Sequence, residues 1–153
     1  MNIIYLALGS NVGNKKEHID TAVELLREHV TGIITAKIYE TEAMYYKNQD
    51  SFLNTVIRGK TKFNPKELLT FVKDIEKQAG RIDRFRYGPR EVDIDILFYN
   101  DLVYRDEDLA IPHPLMQERE FVLRPFMDID PDFIHPVLNI SIRDLFEKLK
   151  ENK

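Results

Sequence analysis

The sequence predicts an α+β fold of the ferredoxin-like type: an antiparallel sheet with two helices on one face, followed by a helical C-terminal extension. Two observations lead to this prediction. Runs rich in Val, Ile, Thr and Tyr alternate with segments of helical periodicity in the order β-α-β-β-α-β. The 153 residues contain no internal repeat, low-complexity tract or linker, so we expect residues 1–153 to form a single domain with a sizeable core.

The first half of the chain supplies three of the predicted strands and one helix. Ile3–Leu8 is an apolar strand that ends at the turn-rich run Gly9–Asn14. The spacing of apolar residues predicts a helix from about Lys15 to His29. Ile33–Glu40 and Phe52–Lys60 are rich in β-formers and favour strands.

The connection between these two strands, Thr41–Ser51, is long and polar. Hairpin loops usually have about two to five residues, so the length of this connection indicates a binding loop. We expect this loop to be mobile when no ligand is bound. The same expectation applies to the glycine- and arginine-rich run Gly80–Arg90.

The second predicted helix has clear start and stop signals. Asn64 is suited to the N-cap, Pro65 to the first helical position and Glu67 to the third. Apolar residues then recur at helical spacing, and Gly80 is a natural C-terminal stop.

The last third of the chain begins with Val92–Tyr99, which alternates sharply and predicts a strand. A short strand near Leu102–Tyr104 and a helix around Glu118–Met127 follow. Ser141 is placed to cap a final helix. These last two helices are the C-terminal extension.

Composition and charge exclude several classes of function. The chain has 26 acidic and 22 basic residues, a net charge of −4, which argues against a nucleic-acid partner. It has no cysteine, which excludes disulfides, thiolate catalysis and cysteine-ligated metal sites. The N-terminal run lacks a basic segment, and no apolar stretch approaches ~18 residues. We therefore expect a cytoplasmic protein with no membrane partner.

The run Gly80–Leu97 contains the strongest functional signal. Asp93 and Asp95 occupy positions i and i+2 of a strand, so their side chains share a face and can bind hard cations such as Mg²⁺. Four arginines, whose guanidinium groups match phosphate oxygens, precede this pair: Arg81, Arg84, Arg86 and Arg90. Together they predict a site for a Mg–polyphosphate ligand. Alternatively, the acids are the solvated face of an amphipathic strand and the arginines a solvated surface loop.

Weaker signals lie elsewhere in the chain. His113, held between two prolines, can meet a phosphate or act as an acid or base, although a lone loop histidine is more often simply exposed. Phe52 and Asn54 suit stacking and hydrogen bonding to a flat heterocycle, although core packing is the commoner role for a residue such as Phe52. Arg119 and Phe121 lie near a helix start, where surface and core roles are the ordinary ones.

The run Arg86–Leu97, with the sequence RYGPREVDIDIL, resembles the signature of the 6-hydroxymethyl-7,8-dihydropterin pyrophosphokinase family of folate biosynthesis. Further family landmarks occur in order: Leu8–Asn11, Tyr39–Thr41, Phe52–Asn54, Ile111–Pro114 and Arg119–Leu123. The resemblance implies an enzyme with one catalytic domain; we expect a monomer, with a dimer as the alternative. It implies transfer of pyrophosphate from ATP to the pterin hydroxymethyl group, assisted by two Mg²⁺ ions, giving AMP and the pterin diphosphate.

The resemblance also implies roles for individual residues. The catalytic group is Arg81, Arg90, Asp93 and Asp95, the two acids being the metal ligands. The ATP site comprises Glu76, Arg81, Arg90, Ile96, His113 and Arg119. The pterin site comprises Thr41, Met44, Phe52, Asn54, Asp93 and Phe121.

This chain departs from the family pattern at several positions. Phe52 replaces a frequent Tyr and Tyr87 a frequent Trp; the arginine loop is one residue shorter, and the second loop lacks its usual proline. The base that removes the alcohol proton stays open between His113, a metal-assisted route and water. The alternative functions are another Mg-dependent nucleotidyl or phosphoryl transferase, and a non-catalytic ferredoxin-like ligand-binding module.

Overall fold

The strands and helices follow the predicted order in a computed structural model, which describes residues 1–42, 49–80 and 91–152. The strands are β1 (Asn2–Ser10), β2 (Thr31–Thr35), β3 (Tyr39–Thr41), β4 (Phe52–Thr61), β5 (Asp93–Tyr99), β6 (Tyr104–Arg105) and β7 (Ala110–Ile111). The helices are α1 (Lys15–Leu26), α2 (Pro65–Gln78), α3 (Glu120–Met127) and α4 (Ile142–Glu151). A 3-10 turn, Met116–Glu118, precedes α3. The expected mobility of the two loops concerns residues 43–48 and 81–90, which lie outside the described residues.

The main sheet is antiparallel, with its strands in the order β2-β4-β1-β5 and with β3 also paired to β4. The central strand β1 pairs with β4 on one side and with β5 on the other. If β2 and β3 count as one strand, this is the strand order of a ferredoxin-like βαββαβ unit. The predicted fold class is therefore confirmed.

The two faces of the sheet are covered by different pairs of helices. Helices α1 and α2 pack on a core that includes Leu6, Leu8 and Ile94. Helices α3 and α4 pack on the other face, around Tyr5 and Phe98. The predicted helices on one face are α1 and α2, and the C-terminal extension supplies the layer on the opposite face.

The predicted strand Ile33–Glu40 is divided into β2 and β3. Thr35 pairs with Ile57 and Tyr39 pairs with Asn54, so this strand advances four residues while β4 advances three. The extra residue makes a bulge, at which the Ala36 N–H donates to the Val56 carbonyl at 2.9 Å. The bulge shifts the register by one residue, so that Thr41 pairs with Phe52.

Other boundaries differ by a few residues. Helix α1 ends at Leu26, before the predicted His29, because the chain leaves through a turn in which the Val30 N–H donates to the Leu26 carbonyl at 2.9 Å. The short strand predicted near Leu102–Tyr104 is β6, which pairs with β7 in a separate hairpin. The Asn64–Glu67 capping box at the start of α2 is present as predicted. Within the described ranges, no helix has the length and apolar character needed to cross a membrane.

Candidate active site

The two predicted metal ligands, Asp93 and Asp95, begin β5 and project from the sheet face that carries α3 and α4. They alternate with Ile94 and Ile96, which are buried against the opposite face. Their partners across the β1–β5 ladder are Gly9 and Ala7, respectively. These are the two smallest residue types, so they leave space beside the half-buried carboxylates.

The acid pair fits a magnesium ion that is shared with a substrate. In residues 1–42, 49–80 and 91–152, no group of three or more His, Cys, Asp or Glu side chains is arranged to hold a metal ion. Magnesium is commonly bound in this way, by one or two carboxylates with the remaining ligands from water and substrate phosphates. The donor set therefore matches the predicted chemistry.

Behind the acid pair lies Glu76 of α2, with only 5% of its surface exposed. Its carboxylate accepts a hydrogen bond of 2.8 Å from the backbone N–H of Ile94, the residue between the two aspartates. Helix α2 reaches this position because its start is fixed by the Asn64 cap and its apolar side packs on the sheet.

The predicted pterin-binding side chains from β3 and β4 come together on the same sheet face. Asn54 is 5% exposed, and its amide Nδ2 donates to the Thr41 hydroxyl at 2.7 Å. Phe52 pairs directly with Thr41 across the β3–β4 ladder. Met44 lies outside the described residues.

Gly9 joins this group to the acid pair, because it pairs with Asn54 on one side and with Asp93 on the other. A Cβ atom at Gly9 would lie 3.0 Å from the Asn54 Oδ1 atom and 3.5 Å from the Phe52 ring. A side chain at this position would therefore crowd the Asn54 amide, and glycine avoids that contact. The sequence places Gly9 at a strand end, but its position between Asn54 and Asp93 depends on the register of three strands.

Arg119 and Phe121 lie at the start of α3, the helix that packs on the same sheet face as the acid pair. The Arg119 guanidinium carbon lies 5.5 Å from the centroid of the Phe121 ring, within cation–π range. Phe121 is partly buried and packs against the core between the sheet and α3. It therefore combines a fixed position with an accessible surface.

His113 is held in one orientation by two hydrogen bonds. Its backbone N–H donates to the Leu97 carbonyl of β5 at 3.2 Å, and its Nδ1 atom accepts from the Leu115 N–H at 3.2 Å. In the neutral imidazole the proton is therefore on Nε2, which makes Nε2 a hydrogen-bond donor. Burial, and to a lesser extent the positive charge of Arg119, lower the pKa of His113 to about 4, against the opposing effect of Asp93.

We expect the imidazole of His113 to stay neutral from pH 8 down to about pH 5 in the substrate-free protein. The native ring takes up its proton near pH 4, whereas the unfolded chain takes it up near pH 6.5. The stability that this group contributes is therefore fully present above pH 6.5 and falls as the pH drops toward 4. NMR titration of the ring protons, assigned with His113→Gln, measures this. A midpoint near 6.5 would contradict it.

Three further predicted site residues are Arg81, Arg90 and Ile96. Arg81 and Arg90 lie in residues 81–90, outside the described part of the chain. Ile96 is 5% exposed and contributes its side chain to the core beneath α1 and α2. Sequence reasoning missed the contacts of Glu76 with Ile94 and of Leu115 with His113, because both involve backbone groups that no side-chain pattern reports.

A model of the 7,8-dihydro-6-hydroxymethylpterin-pyrophosphokinase (HPPK) family matches residues 5–131. The chain belongs to this family. It is 42% identical to the 2-amino-4-hydroxy-6-hydroxymethyldihydropteridine pyrophosphokinase of Aquifex aeolicus, over 94% of this chain and 90% of that one. It is 44% identical to the enzyme of the same name from Bacillus subtilis, over 84% of this chain and 78% of that one.

Some HPPK relatives are much longer. The chain is 48% identical to the folic acid synthesis protein FOL1 of Dictyostelium discoideum, over 92% of this chain but only 21% of that protein. Among solved structures, wild-type Plasmodium falciparum HPPK-DHPS matches 99% of this chain and 46% of its own with a TM-score of 0.81 and 22% identity. That likeness supports the fold, and the sequence relatives support the family predicted from the motifs.

Proposed function

We propose that this chain transfers a pyrophosphoryl group from ATP to the hydroxymethyl oxygen of 6-hydroxymethyl-7,8-dihydropterin, releasing AMP. The observation that carries the proposal is that Gly9 pairs with Asn54 on one side and with Asp93 on the other, so these two side chains lie on the same sheet face with no side chain between them. A heterocycle beside Asn54 would present its hydroxymethyl group to a phosphate chain held near Asp93. The match to this chain spans 90% of the Aquifex aeolicus pyrophosphokinase and 78% of the Bacillus subtilis one. This supports the proposal that the chain is one catalytic unit.

The acid pair is proposed to hold two Mg²⁺ ions together with the phosphates of ATP. Bound there, the ions would neutralise phosphate charge and stabilise the attacking and leaving oxygens. Asp93 and Asp95 supply the protein's oxygen ligands from one face of β5. The reaction requires mainly positioning and charge neutralisation from the protein, and this arrangement suits both.

The pterin is proposed to lie flat between Phe52 and Phe121, with its polar edge toward Asn54 and Thr41. The Asn54–Thr41 hydrogen bond fixes which amide atoms are available to a ligand. Met44 and Asp93 would complete the pocket. The missing hydroxyl at Phe52 leaves stacking intact, because stacking uses the face of the ring.

We propose that the polyphosphate of ATP is bound by Arg81, Arg90 and Arg119 and accepts a hydrogen bond from the Nε2–H of His113. A neutral histidine with Nδ1 already accepting a hydrogen bond offers a donor to a phosphate oxygen and no basic atom for the alcohol proton. We therefore assign His113 to binding. Ile96 is proposed to line the nucleotide side through its backbone, because its side chain lies in the core beneath α1 and α2.

The test is to mix the chain with ATP, Mg²⁺ and 6-hydroxymethyl-7,8-dihydropterin and to identify the nucleotide product by chromatography. AMP in equal amount to the pterin diphosphate, formed only with Mg²⁺, is the expected result. ADP as the product would indicate a simple phosphoryl transferase. AMP with free pyrophosphate and unchanged pterin would indicate hydrolysis, and either result would refute the proposal.

A further inference from the structure

The strand that carries the acid pair lies at the edge of the main sheet. Within the described residues, β5 pairs with β1 on one side and with no strand of that sheet on the other. In an antiparallel strand, successive N–H groups point to alternate sides. Since the Ile94 N–H bonds to Glu76, it points away from β1, and the N–H groups of Asp93 and Asp95 point toward β1.

Among the described residues, two contacts from outside the sheet bond to the outward edge of β5. The carboxylate of Glu76 accepts from the Ile94 N–H at 2.8 Å, and the backbone N–H of His113 donates to the Leu97 carbonyl at 3.2 Å. The first contact lies at the centre of the Asp93–Asp95 unit. An edge strand without such partners can twist or slip, and a change of backbone angle at Ile94 would alter the spacing of the carboxylates on either side.

Glu76 is itself firmly placed. Its neighbours Val72 and Ile75 are at most 1% exposed, and its own exposure is 5%. A carboxylate taken out of water is costly unless it accepts hydrogen bonds, and the Ile94 N–H supplies one. The contact therefore joins two rigid elements, helix α2 and strand β5.

We propose that Glu76 is a positioning residue that sets the spacing of Asp93 and Asp95 by holding the backbone between them, and so tunes their affinity for divalent cations. The role rests on the proposed function, in which these two aspartates are the metal ligands. It differs from the nucleotide contact that family resemblance implies, because it acts through the β5 backbone. What matters in this role is an acceptor atom at the right place, whether or not it is charged.

Two conservative variants separate position from charge. Glu76→Gln removes the charge and keeps an acceptor oxygen at the same distance along the side chain. Glu76→Asp keeps the charge and withdraws the acceptor by one carbon. Asp74→Asn is the matched control, because Asp74 is an exposed acid on the same helix whose carboxylate accepts from Gln78.

The first measurement is the backbone amide of Ile94 by NMR, which needs no activity. We expect slow hydrogen exchange in the wild type, Glu76→Gln and Asp74→Asn, and fast exchange in Glu76→Asp. The second is Mn²⁺ affinity by EPR, in the presence of a non-hydrolysable methylene analogue of ATP. We expect Glu76→Asp to bind Mn²⁺ about tenfold or more weakly, as is typical when a supporting partner of a metal ligand is lost, and Glu76→Gln to bind within about threefold of the wild type.

The opposite order of the two variants would overturn the proposal, since it would show that the charge of Glu76 matters and its position does not. Unchanged Mn²⁺ affinity in both variants, with a raised KM for ATP, would assign Glu76 to nucleotide binding and would also overturn it. If the wild type makes no AMP from the pterin, the proposed function fails. The exchange and Mn²⁺ measurements still decide the role of Glu76 in that case.

Discussion

Replacing Asp95 with alanine should reduce AMP formation at least about a thousandfold while leaving the fold intact. A bound divalent ion contributes several kcal/mol to a phosphoryl-transfer transition state, and about 1.36 kcal/mol corresponds to a tenfold change in rate. Asp95 supplies one of the two half-buried carboxylates that β5 places on the same sheet face. The measurement is the initial rate of AMP release at saturating ATP and Mg²⁺.

The control for this variant is Asp101→Ala, which removes an exposed acid from the turn that follows β5. It should leave the rate unchanged, because Asp101 lies at the far end of the strand from the acid pair. Asp95 is half-buried, faces Ala7 and belongs to neither hydrophobic core, so thermal melting should show that Asp95→Ala still folds cooperatively. A near-normal rate for Asp95→Ala would mean that the two acids are only the solvated face of an amphipathic strand.

Local sequence signals predicted the elements that are specified locally. The start of α2 is an example, because the Asn64–Glu67 capping box and Pro65 act within a single turn of helix. The antiparallel sheet followed from the β-α-β-β-α-β order of the elements. The placement of α3 and α4 on the second face did not follow from the sequence, since an amphipathic helix shows which side it buries and not which surface it covers.

The bulges were invisible in the sequence for a related reason. At Leu97, β5 gains a residue between the pairs Leu6–Ile96 and Tyr5–Phe98, so Leu97 and Phe98 both face the α3–α4 core. Strict alternation would have placed them on opposite faces. The bulge is a property of the β1–β5 pairing, and neither strand encodes it alone.

In the candidate site, too, local spacing predicted some features and tertiary contacts determine the others. The i, i+2 spacing was enough to predict that Asp93 and Asp95 share a face, because strand geometry has period two. The resemblance named Asn54 and His113, while their orientations came from contacts with Thr41 and Leu115 that are set by the tertiary structure. The family was thus predicted correctly from the motifs, and the activity and the individual roles are proposals.

Asn54→Ala should lower kcat/KM for the pterin about 10- to 100-fold while leaving ATP affinity unchanged. The amide is 5% exposed and already donates one N–H to Thr41, so its remaining donor and its Oδ1 atom are held in fixed directions for a ligand. Each lost hydrogen bond to a neutral group costs about 0.5–1.5 kcal/mol, and two such bonds give the expected range. Steady-state kinetics with each substrate varied in turn separates the two effects.

Thr41→Val is the matched control, because it removes the hydroxyl that orients Asn54 and keeps nearly the same shape. We expect a smaller loss, about three- to tenfold, since the amide is still present but is no longer held in one direction. Thr41 can act in two ways, by orienting Asn54 and by bonding the pterin itself. If it does both, Thr41→Val will lower kcat/KM less in an Asn54→Ala background than in the wild type, and the difference measures the contribution of orienting Asn54.

An unchanged KM for the pterin in Asn54→Ala, or an equal loss of ATP affinity, would show that this face of the sheet does not select the heterocycle. In that case the acid pair would serve a different acceptor.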